Sequence, residues 1–356
     1  MKRALFFLIT VAIAFTFMAC SSPKVTFNYL LPAEVPLPNE IQTIVVVDHS
    51  APKNMGWDIL EGGLTGEGIG QDREGVLNLI GGIKEIGAQS NRYELEKEPQ
   101  RYGKGKLLEN IPEPMDLALI KSIGKKHNAD AVLSIDKFDS DFITTNARIK
   151  DKKDPEDTTK RIPQYQVTGI ATVKAYIRVY EVKTGNILDE IKHTDEFRYN
   201  ATANSVDAAL RQLIAKQRAV NNVSYRAGLA YGRRIAPTAV TVTRKIHKRP
   251  KNKSVPFDRA VRKAEVADWY GAIEDFKEAT KGMHQVKGKA AYNLAVCYEV
   301  IGELENAKAW AQDAYIKYGF KDARNYQRIL EQRIFDRNEL IRQMEPVEEN
   351  GKGNAN

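Results

Sequence analysis

Hydrophobic positions follow three rules along the chain. Ala4 to Met18 is apolar without a break, Ile41 to Ile246 alternates short β-branched runs with helical stripes, and from Phe257 onward the apolar period is helical. In the middle region, the run Ile41 to Val47 ending at Asp48 predicts a buried strand. Val76, Leu77, Ile80, Ile83 and Ile86 predict a helix whose Gly81 and Gly82 mark close packing or a bend. Tyr93 to Glu96 predicts a second strand, Asp116 to His127 a second helix, and Ala131 to Ile135 a third strand. Such alternation implies α/β layering.

Between Asn146 and Arg161 the chain is charged without apolar periodicity, which predicts a long exposed loop. From Val167 to Tyr180 apolar and polar residues alternate with period two, and after the turn at Lys183-Thr184-Gly185-Asn186 the alternation resumes from Ile187 to Phe197. This predicts a long antiparallel hairpin whose outer face carries Lys174, Arg178, Glu190, Lys192 and Glu196, a face for water or protein and too polar for lipid. Ser205 is placed to cap one helix running through Val206, Ala209, Leu210, Leu213 and Ile214 to Ile235, and Ala239 to Ile246 predicts a last strand of the same domain. The strands around Ile44-Val45-Val46-Val47, Ala131-Val132-Leu133 and Tyr180 to Leu188 resemble the small α/β domain shared by the N-terminal part of the Tol translocation protein B, the curli secretion lipoprotein and penicillin-binding-protein activator lipoproteins.

In the helical region, Ala272, Phe276 and Ala279 have the spacing of a tetratricopeptide second helix, and Ala307, Ala311 and Ala314 repeat its small residues. Ala272 to Ala307 spans 35 residues against the usual period of about 34. Small residues at these places let paired helices approach closely. The resemblance to tetratricopeptide repeats puts Lys289, Tyr292, Asn293, Val296 and Glu299 on the concave side of the second repeat, where it implies a peptide groove, with intramolecular packing as the alternative. Two repeats are fewer than the three or so an array needs, so the region should lean on other structure. Asp322 to Met344 predicts a capping helix.

The N-terminal pattern decides where the chain lives. Lys2 and Arg3 precede an apolar run of about 15 residues, shorter than the ~20 of a spanning helix, and small Ala19 precedes Cys20. Phe17-Met18-Ala19-Cys20 resembles the lipobox of bacterial lipoproteins, with Phe17 standing where that family has Leu, Val or Ile. The resemblance implies cleavage before Cys20, a diacylglycerol on its thiol and a fatty acyl group such as palmitate on its amine. Ser21 after that cysteine resembles the sorting pattern for the outer membrane, facing the periplasm. With the repeats, the whole chain resembles a family of Gram-negative lipoproteins carrying tetratricopeptide repeats.

Composition adds limits. The 356 residues are 42% hydrophobic and 28% charged, enough for two domains with real cores. The net charge of +8 includes Lys2 and Arg3, which leave with the signal, so the mature chain is moderately basic. Cys20 and Cys297 are the two cysteines, so no disulfide framework is expected, and Cys297 reads as a small buried thiol. The basic run Arg244 to Lys253 reads as a solvated linker or as a contact for anionic headgroups. Nucleic acid is not an expected partner of an exported, anchored chain.

Candidate chemistry is sparse. Gly62 to Gly70 lacks the Lys-Ser/Thr of a phosphate loop and the dinucleotide spacing, and reads as a mobile or recognition loop with Glu67, Asp72 and Arg73 as polar contacts. The five histidines lack metal-ligand spacing, and no metal or cofactor is expected. Asp136, Asp139 and Asp141 read as an exposed strand end.

The expected fold is α+β: a signal over 1–20, a proline-rich tether over 21–40 reaching roughly 60 Å if polyproline-like, a mixed α/β domain over 41–246, a basic linker over 247–255, an all-α tetratricopeptide-type repeat domain with its cap over 256–345, and a disordered tail over 346–356. The expected role is a non-enzymatic, lipid-anchored envelope adaptor for another envelope protein. A glycan or anionic-lipid binder and an unrecognised hydrolase are the alternatives.

Overall fold

The computed structural model describes residues 23–50, 71–103, 111–248 and 254–345. The signal segment with Cys20, the Gly-rich run with Glu67, residues 249–253 of the basic linker and the tail over 346–356 lie outside these. The protein is mixed α+β, and the chain divides into two compact units.

The larger unit comprises residues 32–238 and, from the C-terminal end, 342–345. Its sheet has the order β3 (Glu94–Lys97), β2 (Thr43–Asp48), β4 (Ala131–Lys153), β5 (Arg161–Glu181) and β6 (Ile187–Ala203). β2 runs parallel to β3 and β4, while β4–β5 and β5–β6 are antiparallel. The β-branched run of β2 is explained by burial on both faces. Ile44 and Val46 point to one core, with Leu133, Ile135, Val173, Ile177 and Val179, under helices α1 (Gln71–Ser90) and α4 (Lys216–Ile235). Val45 and Val47 point to the other, with Val132, Tyr180 and the Ile120 and Ile123 of helix α2 (Leu117–His127). Each such fully buried side chain contributes about 1.5–3 kcal/mol relative to exposure. Gly82 is close packing, not a bend: a Cβ there would collide with the backbone of Tyr225 and Leu229 on α4, so the two helices meet backbone to backbone. Gly185 takes the expected positive φ, 79°, in the β5–β6 turn.

Several expectations are corrected in this unit. No long loop spans 146–161, because β4 and β5 continue as a paired ribbon as far as Lys153 and Arg161. Every residue from Ile143 to Lys150 is exposed, so backbone hydrogen bonds hold β4 there with no apolar periodicity to announce it. The helix after Ser205 is two helices, α3 (Val206–Gln212) and α4, separated at Leu213, which is extended at φ −67° and ψ 148°. Arg178 is buried, not on an outer face, and Asp136 lies buried within β4 instead of at an exposed strand end. The proline-rich stretch beyond Leu31 is packed: Ala33, Leu37 and Ile41 are buried, and the Gln343 amide both accepts from the Ala33 N–H (2.7 Å) and donates to its carbonyl (3.1 Å).

The second unit comprises residues 23–31 and 239–341. It opens with β1 (Lys24–Leu31), which pairs with β7 (Thr238–Lys245) as a two-stranded ribbon. Two corrections follow. Residues 24–31 are a strand and not a tether, and β7 belongs with the helices and not with the larger sheet. Period two was present but weak: Val25 is buried and Phe27 packs beside it, while Lys24, Thr26 and Asn28 are exposed. Five helices complete the unit: α5 (Val255–Glu265), α6 (Trp269–Thr280), α7 (His284–Val300), α8 (Leu304–Ile316) and α9 (Ala323–Met344), the last continuing beyond the unit's limit at Ile341. Ala272, Phe276, Ala279, Ala307, Ala311 and Ala314 are all buried in the core of this unit.

Candidate functional site

The five groove residues lie along one side of α7 at spacings of one, three and four residues, which helical geometry brings onto a common face. The structure brings them together around the chain's own residues Arg244 to Lys248. Asn293, fully buried, accepts from the His247 N–H at 2.8 Å and donates to the His247 carbonyl at 2.9 Å, meeting both backbone polar groups of that residue. The Lys289 Nζ lies 3.5 Å from the Lys248 carbonyl. Tyr292 packs edge-on against the His247 ring, whose other neighbour is Phe320, with centroids 4.8 and 4.9 Å away. Val296 is fully buried. No open peptide groove stands here: the surface is filled from within, which is the intramolecular packing that was the alternative. Small and apolar spacing marks a face that will be packed and is silent on whether the occupant is internal.

Glu299 is the electrostatic centre of this arrangement. Its carboxylate accepts from Arg244 Nε and Nη2 (2.8 and 2.9 Å), Arg333 Nη1 (2.7 Å) and the Tyr326 hydroxyl (2.6 Å). Burial alone would raise its pKa, but these bonds outweigh burial and hold it below the usual carboxylate range. The same burial, with the Glu299 charge, pushes the Tyr326 hydroxyl well up. His247 is pushed down to about 4, first by burial and then by Lys245, so its ring is neutral. Burial pushes the Cys297 thiol up to about 12, which makes it a packing group and a poor nucleophile. Arg244 and His247 are the packing partners that the repeat spacing missed. The one signal for them was the basic run itself.

A second polar cluster sits where β2 ends and its parallel pairing with β4 stops, at Asp48 and Ile135, while β4 itself continues. The Asp136 carboxylate is met by His49 Nδ1 (3.1 Å), the Ser134 hydroxyl and Arg178 Nη1 (2.7 Å). Arg178 also donates to Glu190 (2.7 Å) and to the Pro112 carbonyl (2.9 Å). Burial would lower the Arg178 pKa, but Glu190 and Asp136 hold it above its ordinary value. The arrangement neutralises a buried cation with two carboxylates. Among the described residues no group of three or more His, Cys, Asp or Glu could hold a metal ion. Asp72 and Arg73 are not on a loop but in the first turn of α1, where an acidic side chain suits the helix dipole, and Asp72 accepts from the Ser140 hydroxyl at 2.6 Å. Glu67 and Cys20 fall outside the described residues.

Comparison with known families gives two matches. Residues 41–247 match a family described as a domain of unknown function, DUF8603. The chain belongs to that family. Residues 258–332 match a second domain of unknown function, DUF6340, over the helical unit. No curated protein matches the chain. Among solved structures, two of the PelC dodecamer from Paraburkholderia phytofirmans are similar, one of them a point variant. They are 12% and 11% identical, cover 58% and 57% of this chain and 99% and 96% of their own, and have TM-scores of 0.18 and 0.15. Likeness of that size carries no argument about fold or assembly.

Proposed function

We propose that this protein is a lipid-anchored, non-enzymatic adaptor of the bacterial envelope, held at the outer membrane through Cys20, facing the periplasm and binding another envelope protein. Its helices α5 to α8 are read as two tetratricopeptide-type pairs with α9 as their cap, and its larger unit as the α/β domain type of the Tol and curli lipoproteins. The observation that carries the adaptor reading is the outer reach of β4. From Ile143 to Lys150 it is exposed throughout, with Ile143 49% and Ile149 37% exposed, and beyond Ile135 no strand pairs with its outer side among the described residues. A long strand edge whose side chains are all exposed is a surface suited to another chain. A non-enzymatic role is supported by the ionisable groups of both polar clusters being engaged with one another.

The reading places the partner on the strand extension and not on α7. In intact cells, a photo-crosslinking side chain at Arg148 or Gln164 is expected to capture one dominant envelope protein, while the same group at Lys289 captures none. Equal capture from the two places, or no protein enriched from Arg148 and Gln164, overturns it.

A further inference from the structure

The ribbon β1–β7 carries an unpaired charge arrangement at one end. The Ile246 N–H donates to the Pro23 carbonyl at 2.8 Å, and Thr26 meets Thr243 at 3.0 Å and Asn28 meets Thr241 at 2.8 Å across the exposed face. This antiparallel register sets Lys24 opposite Lys245 as the next pair on that face. Like charges directly opposite each other destabilise a ribbon, and no described carboxylate forms an ion pair with either lysine. Lys248 is exposed three residues after Lys245, and Lys289 reaches the Lys248 carbonyl from α7. Asp322 brings an acidic group near this end, 3.4 Å from the His247 ring. Covalent geometry adds the decisive placement. Cys20 precedes Pro23 by three residues, so a lipid on it is attached within roughly 10 Å of this end of the ribbon at full extension.

We propose that Lys24, Lys245, Lys248 and Lys289 form a docking surface for the anionic phospholipid headgroups of the leaflet that holds the Cys20 lipid, so that this unit lies on the bilayer and is not held off it by a tether. The proposal rests on the reading of Cys20 as lipidated. The lipid keeps the Lys24 end of the ribbon within about one Debye length of the headgroups, where salt screening is incomplete, and each basic residue near such a surface favours contact roughly fivefold. Headgroup phosphates also relieve the repulsion between Lys24 and Lys245, neither of which has an ion pair with a described carboxylate.

The test uses the full lipidated protein in vesicles of phosphatidylglycerol with phosphatidylethanolamine, compared with phosphatidylcholine vesicles. A membrane-impermeant amine reagent and mass spectrometry read each lysine, together with the mass of the Cys20 peptide. Labelling of Lys24, Lys245 and Lys248 is expected to be several-fold slower on the anionic vesicles, with the difference abolished in high salt and absent at Lys317. In the Lys24→Glu, Lys245→Glu variant, whose changes are at exposed positions, Lys248 is expected to lose that protection. A lipidated Cys20 with equal labelling on both vesicles overturns the docking surface alone. A Cys20 without lipid overturns the anchor and the docking surface together.

Discussion

Along α7, the side chains from Tyr292 to Glu299 are covered by the chain's own Arg244 to Lys248. Along β4, the side chains from Ile143 to Lys150 are exposed although the backbone is paired to β5 through Ile149 and again, after an irregularity, from Lys152. The first region has every sequence mark of a binding surface and is packed from within. The second has none of those marks and is open. The difference teaches that periodicity reports burial, whereas availability depends on which other segment of the chain arrives there.

The largest expected effect comes from the buried end of the comparison. Glu299→Ala leaves Arg244 and Arg333 without their shared carboxylate, and a broken buried pair of this kind costs about 3–5 kcal/mol. Chemical denaturation of the full chain should show that loss in the transition of the helical unit. A loss under about 1 kcal/mol would mean that the Glu299 network is not what seats Arg244. Asn293→Ala removes both bonds to the His247 backbone and should cost about 1–3 kcal/mol, with faster amide exchange at His247 as its local sign.

Acid should loosen the same seat. The folded pKa of His247 is depressed to about 4 from 6.5, so its contribution is complete above 6.5 and is lost as pH falls from 6.5 towards 4. The shift corresponds to roughly 3 kcal/mol in total. Exchange at residues 244–248 is expected to accelerate over that window, and His247→Phe, which keeps a ring between Tyr292 and Phe320, should flatten the dependence. An unchanged pH profile in that variant would assign the loosening to another group.

The smallest effect belongs to the open end. Ile149→Lys on the exposed part of β4 should change stability by under about 0.5 kcal/mol. It should nevertheless weaken capture of the partner by the crosslinker at Arg148. A destabilisation of several kcal/mol would show that Ile149 is packed, and the contrast with α7 would disappear.

Much of the fold was legible because the relevant residues bury apolar surface in a regular period. Ile44 to Val47, the stripe from Val76 to Ile86 and the spacing of Ala272, Phe276 and Ala279 each have one physical reading, and the elements are there. What escaped notice is stabilised by other means. The reach of β4 and β5 past Asn146 is held by backbone hydrogen bonds with polar side chains on both sides. β1 escaped because the four prolines from Pro23 to Pro38 flank or follow its weak alternation, and a strand of eight residues fits between them. The break at Leu213 has no Gly or Pro to announce it. Of the candidate site, the face on α7 was legible from repeat spacing, but Arg244 and His247 reach it from a segment distant in sequence. Arg178 and Asp136 sit on neighbouring strands, where a charged residue at a polar-reading position gives no sign of its burial.

Native-state hydrogen exchange of the full chain, read at single residues, tests the account's central claim most directly. The amide of His247, which donates to Asn293, should exchange only as slowly as the buried turns of α7 and on their unfolding. Exchange at His247 orders of magnitude faster than in α7, with α7 itself protected, would show an unfilled groove and contradict the account.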